Sequence, residues 1–153
     1  MAANSYLSKA TSSGGNQKTF TVSAWVRQSM VISNARHIVG SDVEDDGANY
    51  CHFSIESDGT LKFLSLLSSS IVANIVSTPK FIDTTAFYHL VLRCDTTQST
   101  AADRVRIYVN GSQVTAFGTN TIPSQNDDLG LFKSGSATLI GARHPSSSSN
   151  FFE

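Results

Sequence analysis

The residues best suited to chemistry are the acidic side chains of the loop 42–49, which reads DVEDDGAN. Calcium takes roughly six to eight hard oxygen ligands, and clustered carboxylates with backbone carbonyls supply them. The alternating ligands and final glutamate of an EF-hand loop are absent, so we favour a solvated acidic turn over a calcium site. A second acidic pair, in a later loop, would join the first if the fold brought the loops together. The candidate calcium ligands are Asp42, Asp45, Asp46, Asn49, Asp127 and Asp128.

A second acidic stretch, IESDGT, places Glu56 close to Asp58. Retaining glycosidases hold two carboxyl groups about 5–5.5 Å apart, so such a pair deserves a test. Asp58 is followed by Gly59, however, and Asp-Gly is a strong turn signal. The stretch therefore predicts a surface glutamate before a turn and not a catalytic pair.

The cysteine and histidine side chains are poorly placed for nucleophilic catalysis. Cys51 is adjacent to His52, and His89 and Cys94 differ by an odd number of positions, so each pair points to opposite faces of a strand. The sequence contains no G-x-S-x-G, P-loop or dinucleotide fingerprint. Two cysteines are too few for a disulfide scaffold, so we expect buried free thiols and synthesis in a reducing cytoplasm. We predict that the chain is not an enzyme.

Sugar binding needs an aromatic platform beside hydrogen-bonding side chains. Most aromatic residues of a β-sandwich belong to the core, and we expect Trp25 to be packed in this way. Tyr108, in contrast, shares a strand face with arginine residues, opposite a face of valine and isoleucine, and is expected to be exposed. That face is predicted to contact a glycan or a partner subunit, or simply to face water. The candidate binding residues are Tyr50, Arg104, Arg106, Tyr108 and Asn126.

Short β-strands must position these side chains. Val105, Ile107 and Val109 alternate with bulky polar residues up to Asn110-Gly111, the strongest short signal for a type I′ hairpin. Helical periodicity is absent, apart from at most one turn in 82–89. We expect the polar linker 95–103 to project into water and 118–130 to be a loop. Further strands are predicted at 6–9, 19–27, 36–41, 50–56, 60–65, 71–77, 89–94, 113–115 and 137–142, which makes the chain an all-β sandwich or barrel.

The composition limits the classes of partner. With 153 residues the chain is long enough for one domain with a sizeable core. Only 15% of the residues are charged and the net charge is −1, whereas nucleic-acid binding requires clustered lysine and arginine. No apolar run approaches the roughly 20 residues that cross a bilayer, so no membrane insertion is expected.

Three segments of the chain resemble a known family. They read FTVSAWVRQS, YHLVLRCDTTQSTAADRVRIYVNG and ATLIGARHPSSSSNFF, and their order is similar to that of laminin G-like, concanavalin A-like jelly-roll domains. The version they resemble occurs in tail and other virion proteins of bacteriophages. The resemblance spans the whole chain and implies a single domain, residues 1–153, built as an antiparallel two-sheet jelly-roll sandwich. It also implies that the family's C-terminal closing strand is missing.

The function implied by this resemblance is that of a non-enzymatic virion module in a tail fibre, a spike or a capsid decoration. Such a module binds a host-surface glycan or attaches to a neighbouring subunit. The implied partners are other virion proteins, in a homo-oligomer such as a trimer, assembled in the cytoplasm of the bacterial host. Two alternatives remain: a glycan hydrolase of the same fold, and a structural virion protein without a ligand.

The resemblance bears on the two acidic stretches as well. Hydrolases of this fold carry E-x-D-x-x-E on one strand, and IESDGT matches only the first half of that pattern. Many laminin G-like domains hold one calcium ion at a loop rim through an aspartate before the strand that NYCHFSI resembles. Asn49, a weaker ligand, occupies that position here. At both stretches this chain therefore departs from the family's pattern, the one for hydrolysis and the one for calcium binding.

Overall fold

The computed structural model describes residues 6–10, 12–28, 34–42 and 47–143. Asp45 and Asp46 lie outside these ranges, as does the chain after residue 143, and Asp42 is described by its backbone alone. Among the described residues, one short 3-10 turn covers Ala101–Asp103, and no helix is long and apolar enough to cross a membrane. The strands are β1 (Leu7–Ala10), β2 (Thr19–Val26), β3 (Arg36–Asp42), β4 (Tyr50–Ile55), β5 (Thr60–Leu67), β6 (Ser70–Lys80), β7 (Tyr88–Asp95), β8 (Val105–Val109), β9 (Ser112–Gln113), β10 (Phe117–Thr121) and β11 (Ala137–Ile140).

These strands form two sheets. The larger sheet has seven strands in the order β1-β11-β3-β4-β5-β6-β10, and the smaller sheet has four in the order β2-β7-β8-β9. Neighbouring strands are antiparallel throughout the described residues. The prediction of an all-β, antiparallel two-sheet jelly-roll sandwich is therefore confirmed.

The hydrophobic core lies between the sheets. Because successive side chains of a strand point to opposite faces, every second residue of each sheet faces this core. Phe53 of β4 lies opposite Phe63 of β5 in the larger sheet, and both side chains are completely buried. Leu90, Leu92 and Ile107 of the smaller sheet are buried in the same cluster. Burial of apolar surface is the main favourable term in folding, so this layer holds the two sheets together.

Two tight turns adopt left-handed backbone conformations. Asn110 and Gly111 have φ angles of 50° and 83°, as the type I′ hairpin predicted between β8 and β9 requires. Ser68 and Ser69, between β5 and β6, have φ angles of 50° and 62°. Left-handed serines are uncommon, so residue preferences predict the first turn but not the conformation of the second.

The strand β10 corrects the prediction of a loop at 118–130. Its five residues, FGTNT, lack apolar alternation, and four of them are exposed. Asn120 lies opposite Ile75 of β6, so backbone pairing at the edge of the larger sheet holds the strand in place. Because such an edge strand buries no face, hydrophobic periodicity cannot reveal it.

Candidate functional site

The outer face of the smaller sheet carries aromatic and polar side chains in register. Trp25 of β2 lies opposite His89 of β7, and Ser23 lies opposite Val91. Val91 in turn lies opposite Tyr108 of β8. Tyr108 is therefore a diagonal neighbour of His89, at a typical separation of about 7–8 Å. This surface, here called the platform, consists of Ser23, Trp25, His89, Val91, Arg106 and Tyr108.

Trp25 is the most exposed aromatic ring of the platform. Its side chain is 68% exposed, so the expectation that it packs in the core was wrong. The indole stacks on the His89 ring with a centroid distance of 4.8 Å and an interplanar angle of 19°. A hydrogen bond of 2.9 Å joins His89 Nε2 to Ser23 Oγ and fixes the histidine. One face of the indole is thus supported by a held ring, and the other remains accessible.

Tyr108 and Arg106 form the polar side of the platform. Both are half-buried, so the predicted exposure of this strand face is met only in part. Arg106 forms an ion pair with Asp103. The pKa of Arg106 is raised, first by this hydrogen bond to Asp103 and then by one to Tyr108. The two predicted binding residues therefore contact each other, and the arginine stays charged beside Tyr108.

Arg104, a third predicted binding residue, is occupied elsewhere. Its Nε donates to the carbonyl of Gln98, its Nη1 to that of Pro123 and its Nη2 to that of Ser99, at 2.9–3.0 Å. These three bonds tie the linker 95–103 to the loop before β11. The linker is therefore exposed at its tip but anchored at its base, and only in part does it project into water as predicted.

Asn126 and Tyr50 complete the predicted binding set, and both lie away from the platform. Asn126 is exposed in a loop, with a φ angle of 66° and its N–H donated to the carbonyl of Thr96. Tyr50 belongs to the larger sheet, where the Arg143 guanidinium lies 4.9 Å from its ring centroid. Its ring also stacks on His52 at 6.0 Å. The five residues therefore do not form one site, and only Arg106 and Tyr108 are brought together.

His52 shares the outer face of the larger sheet with Tyr50 and is buried there. Burial, followed by the positive charges of His37, Lys62 and Arg143, holds the pKa of His52 well below its ordinary value of 6.5. The unfolded chain binds a proton below that pH whereas the folded chain does not. The free energy of unfolding should therefore fall as the pH drops below about 6.5, with a contribution of up to about 1.4 kcal/mol per pH unit from this residue.

We expect His52→Gln to remove this contribution to the pH dependence. Urea denaturation of both proteins between about pH 4.5 and pH 8 measures the contribution. Below about pH 6.5 the free energy of unfolding should fall less steeply with falling pH in the variant than in the original protein. Above about pH 7 the two curves should run parallel, since His52 is then neutral in both states. Equal slopes of the two proteins below pH 6.5 would show that His52 is protonated in the folded chain.

The candidate calcium ligands whose side chains the structure describes are each engaged with a neighbouring group of the protein. Asn49 Oδ1 accepts the N–H of Ser68 at 2.9 Å, and Asp127 Oδ2 accepts a backbone N–H of its own loop at 2.7 Å. Asp128 lies 3.9 Å from the amino group of Lys18. Within the described ranges no three His, Cys, Asp or Glu side chains are arranged to hold a metal ion. These donors do not fit a calcium site, and one centred on Asp45 and Asp46 stays a prediction.

The carboxylates of the IESDGT stretch support the β4–β5 turn. Glu56 accepts a hydrogen bond from Ser54 Oγ at 2.7 Å and lies 4.0 Å from the Lys62 amino group. Asp58 accepts the hydroxyl of Thr60 at 2.7 Å and its N–H at 3.0 Å, and these bonds lower the pKa of Asp58. Both carboxylates are therefore structurally engaged, and the lowered pKa of Asp58 makes that residue unsuited to act as a general acid.

The two thiols are free and buried, as predicted. Burial raises the pKa of Cys51 to about 12 and the pKa of Cys94 well above its ordinary value. The thiolate is the nucleophilic form of cysteine. Neither residue is therefore activated for attack on a substrate.

Solved structures share this fold at low sequence identity. A carbohydrate-binding module, CBM40, of the Ruminococcus gnavus IT-sialidase, bound to alpha2,3 sialyllactose, has a TM-score of 0.61 and 11% identity over 89% of this chain and 71% of its own. The same CBM40 in a second structure has a TM-score of 0.59 and 11% identity, over 90% and 72% of the two chains. The native heptameric SAP-like pentraxin from Limulus polyphemus has a TM-score of 0.50 and 18% identity, with 89% of this chain but only 57% of the pentraxin covered.

No curated protein matches the chain. A family model, however, matches residues 2–152, which is nearly its full length. That match agrees with the two antiparallel sheets and with the laminin G-like resemblance of the sequence. The chain belongs to the concanavalin A-like lectin/glucanases superfamily.

Proposed function

We propose that the chain is a non-enzymatic carbohydrate-binding module whose ligand lies on the platform. The observation that carries this proposal is the exposed indole of Trp25, supported from beneath by the His89 ring at 4.8 Å. A pyranose ring has an apolar face of C–H groups, which packs on an aromatic ring, and a rim of hydroxyl groups. On the platform, the exposed indole would pack against the apolar face of the sugar, and the polar side chains of the same surface would form hydrogen bonds with its hydroxyl groups.

The polar groups suit a hydroxylated ligand. The Arg106 guanidinium donates hydrogen bonds, whereas the hydroxyls of Ser23 and Tyr108 both donate and accept. The ion pairs of Arg106 with Asp103 and of Arg93 with Asp95 leave this face close to neutral. Specificity would then come from the geometry of hydrogen bonds more than from net charge.

The family and the fold support this function over catalysis. The superfamily description includes both lectins and glucanases, and one structural neighbour is a carbohydrate-binding module with a bound sialylated sugar. A glucanase needs two facing carboxyl groups, but Glu56 and Asp58 contact Ser54, Lys62 and Thr60 instead. The engaged carboxylates therefore favour a binding module.

The biological setting we propose is a bacteriophage virion, in a tail fibre, a spike or a capsid decoration. The laminin G-like segments of the sequence support this setting. There the platform would face a glycan of the host surface, and the domain would be held among other virion proteins in a homo-oligomer such as a trimer. A virion purified from its host and probed with antibody against this chain tests the setting separately from binding.

Binding is tested on an array of bacterial surface polysaccharides and sialylated oligosaccharides. Trp25→Ala should weaken binding roughly tenfold or more, because a central tryptophan anchor typically contributes about 2 kcal/mol or more. Trp25→Phe keeps a ring and should retain part of the affinity. Ile71→Ala changes a 55% exposed side chain on the larger sheet and should leave binding unchanged. Binding that survives Trp25→Ala intact would exclude the platform, and an array without any bound glycan would favour a structural role.

A further inference from the structure

A hollow of 250 Å³ lies between β8 and the chain that leads into β10. The two residues of β9, a fully described strand, pair with Tyr108 and Val109, so neither lies opposite Val105 or Arg106 of β8. After β9 the chain passes to β10, at the edge of the larger sheet. The hollow, here called the β8–β10 pocket, is lined by residues between positions 102 and 122, a range that the structure describes without a gap.

The walls of the β8–β10 pocket are mainly apolar. Val105 and Val114 are buried there, and Phe117 and Ile122 are half-buried. Pockets for drug-sized ligands have volumes of about 300–1,000 Å³, so this smaller pocket suits one sugar residue with a short substituent. Because the burial of apolar surface is favourable, the walls favour a substituent that carries a methyl group.

Two carboxamide side chains give the pocket polar groups. Gln113 and Asn120 both line it, and both are exposed. A carboxamide donates hydrogen bonds through its NH₂ group and accepts them through its oxygen. The two side chains can therefore pair with the N–H and the carbonyl oxygen of an amide in the ligand.

Arg106 adds a further hydrogen-bond donor to the pocket. Its guanidinium forms an ion pair with Asp103 and a hydrogen bond with Tyr108, whereas its Nε–H is buried and has no hydrogen-bond partner in the described chain. Buried donors without a partner are rare in folded proteins. A small rotation of the side chain toward a carbonyl oxygen in the pocket would satisfy this donor. Because Asp103 already balances the charge of the guanidinium, a neutral acceptor suits the pocket better than a carboxylate.

The β8–β10 pocket adjoins the platform. Arg106 belongs to both, and Gln113 lies opposite Tyr108. Trp25 on β2 is two strand spacings from β8, which corresponds to about 10 Å. A single sugar residue does not span this distance, but a short oligosaccharide stacked on Trp25 can place another of its residues at the pocket.

We propose that the β8–β10 pocket binds the acetamido group of an N-acetylated amino sugar. The methyl group packs on Val114 and Phe117, and the carbonyl oxygen accepts the Nε–H of Arg106. The N–H of the acetamido group is donated to the carboxamide oxygen of Gln113 or Asn120. This inference rests on the proposed carbohydrate binding and narrows its ligand to oligosaccharides that contain N-acetylated residues.

Two tetrasaccharides isolate the contribution of the acetamido group. Chitotetraose and cellotetraose have the same linkage, but the first carries an acetamido group where the second carries a hydroxyl group. Isothermal titration calorimetry should show roughly tenfold tighter binding of chitotetraose, because it gains a hydrogen bond and buries a methyl group. The deacetylated form of chitotetraose should bind no more tightly than cellotetraose.

Nuclear magnetic resonance reports on the pocket and the platform separately. Chitotetraose should shift the Nε–H resonance of Arg106 and also the indole N–H resonance of Trp25, the single tryptophan of the chain. Cellotetraose should shift the indole resonance and leave the Nε–H resonance of Arg106 nearly in place.

A matched pair of variants locates the acetamido group. Thr115 and Thr119 are both exposed, but of the two only Thr115 lines the pocket. Thr115→Phe fills the pocket and should weaken the binding of chitotetraose roughly tenfold, to the level of cellotetraose. Thr119→Phe should leave both affinities unchanged. Circular dichroism verifies that each variant is folded.

Three results would overturn the inference: equal affinities for chitotetraose and cellotetraose, an unmoved Nε–H resonance of Arg106, or equal effects of the two phenylalanine variants. A shift of the indole resonance alone would keep the platform as a glycan site and reject the acetamido pocket. A shift of the Arg106 resonance alone would support the pocket and reject stacking on Trp25. If neither resonance moved, the pocket and the platform would both be rejected.

Discussion

Phe53→Ala is expected to lower the free energy of unfolding by about 3–5 kcal/mol. The side chain is completely buried, and it lies opposite the equally buried Phe63 at the centre of the larger sheet. Its removal forfeits the transfer free energy of the ring and leaves a cavity that the paired strands cannot close without losing their register. Urea denaturation followed by far-UV circular dichroism measures the loss.

Phe87→Ala is the matched control, because that phenylalanine is 59% exposed. This substitution should lower the free energy of unfolding by less than about 1 kcal/mol. Similar losses for Phe53→Ala and Phe87→Ala would mean that the space between the sheets is not the tightly packed core described above. The slope of the unfolding curve should stay the same in both variants, which confirms that the free energies are comparable.

Gly40→Val is expected to lower the free energy of unfolding by about 3 kcal/mol or more, which is the upper end of the effects of overpacking. A Cβ atom at position 40 would lie 2.6 Å from the Cα of Arg143 and 2.8 Å from the carbonyl oxygen of Ala142. Both are backbone atoms, so no rotamer change relieves the contact. The missing side chain lets the chain after β11 cross closely over β3 and carry Arg143 to its position beside Tyr50.

Gly118→Val provides the control for a glycine within a strand. A Cβ atom there meets nothing within 4 Å, and valine favours extended backbone, so the change should be neutral or slightly stabilising. Thermal unfolding of the two variants side by side measures the difference. If Gly40→Val were as stable as Gly118→Val, the segment 141–143 would not lie against β3 in solution.

The strands of the core were predictable because each carries its own signal. The alternation in β2, β7 and β8 predicts both the strands and the side chains that they bury, and Asn110-Gly111 predicts a turn with two positive φ angles. The edge strand β10 carries no such signal, since backbone pairing with β6 alone holds it. Local patterns thus predict the core strands that bury a face, whereas β10, which only completes a sheet, was missed.

The candidate site was only partly predictable, because it depends on which strands become neighbours. Alternation already places Trp25 on the same face as Thr21 and Ser23, and that signal outweighs the tendency of aromatic residues to be buried. The support from His89 could not be foreseen, since it requires the β2–β7 register. Arg104 was misleading for the related reason that its carbonyl partners lie on two separate loops.

The two buried thiols have a practical consequence for anyone who handles the protein. Reagents such as maleimides need an accessible thiolate, which neither Cys51 nor Cys94 offers while the sheets stay together. Labelling would then proceed only through molecules that transiently open, and the labelling rate would report the frequency or the population of the open state. Thiol labelling can therefore be used to measure how often the protein opens. The closed protein should also tolerate storage without reductant.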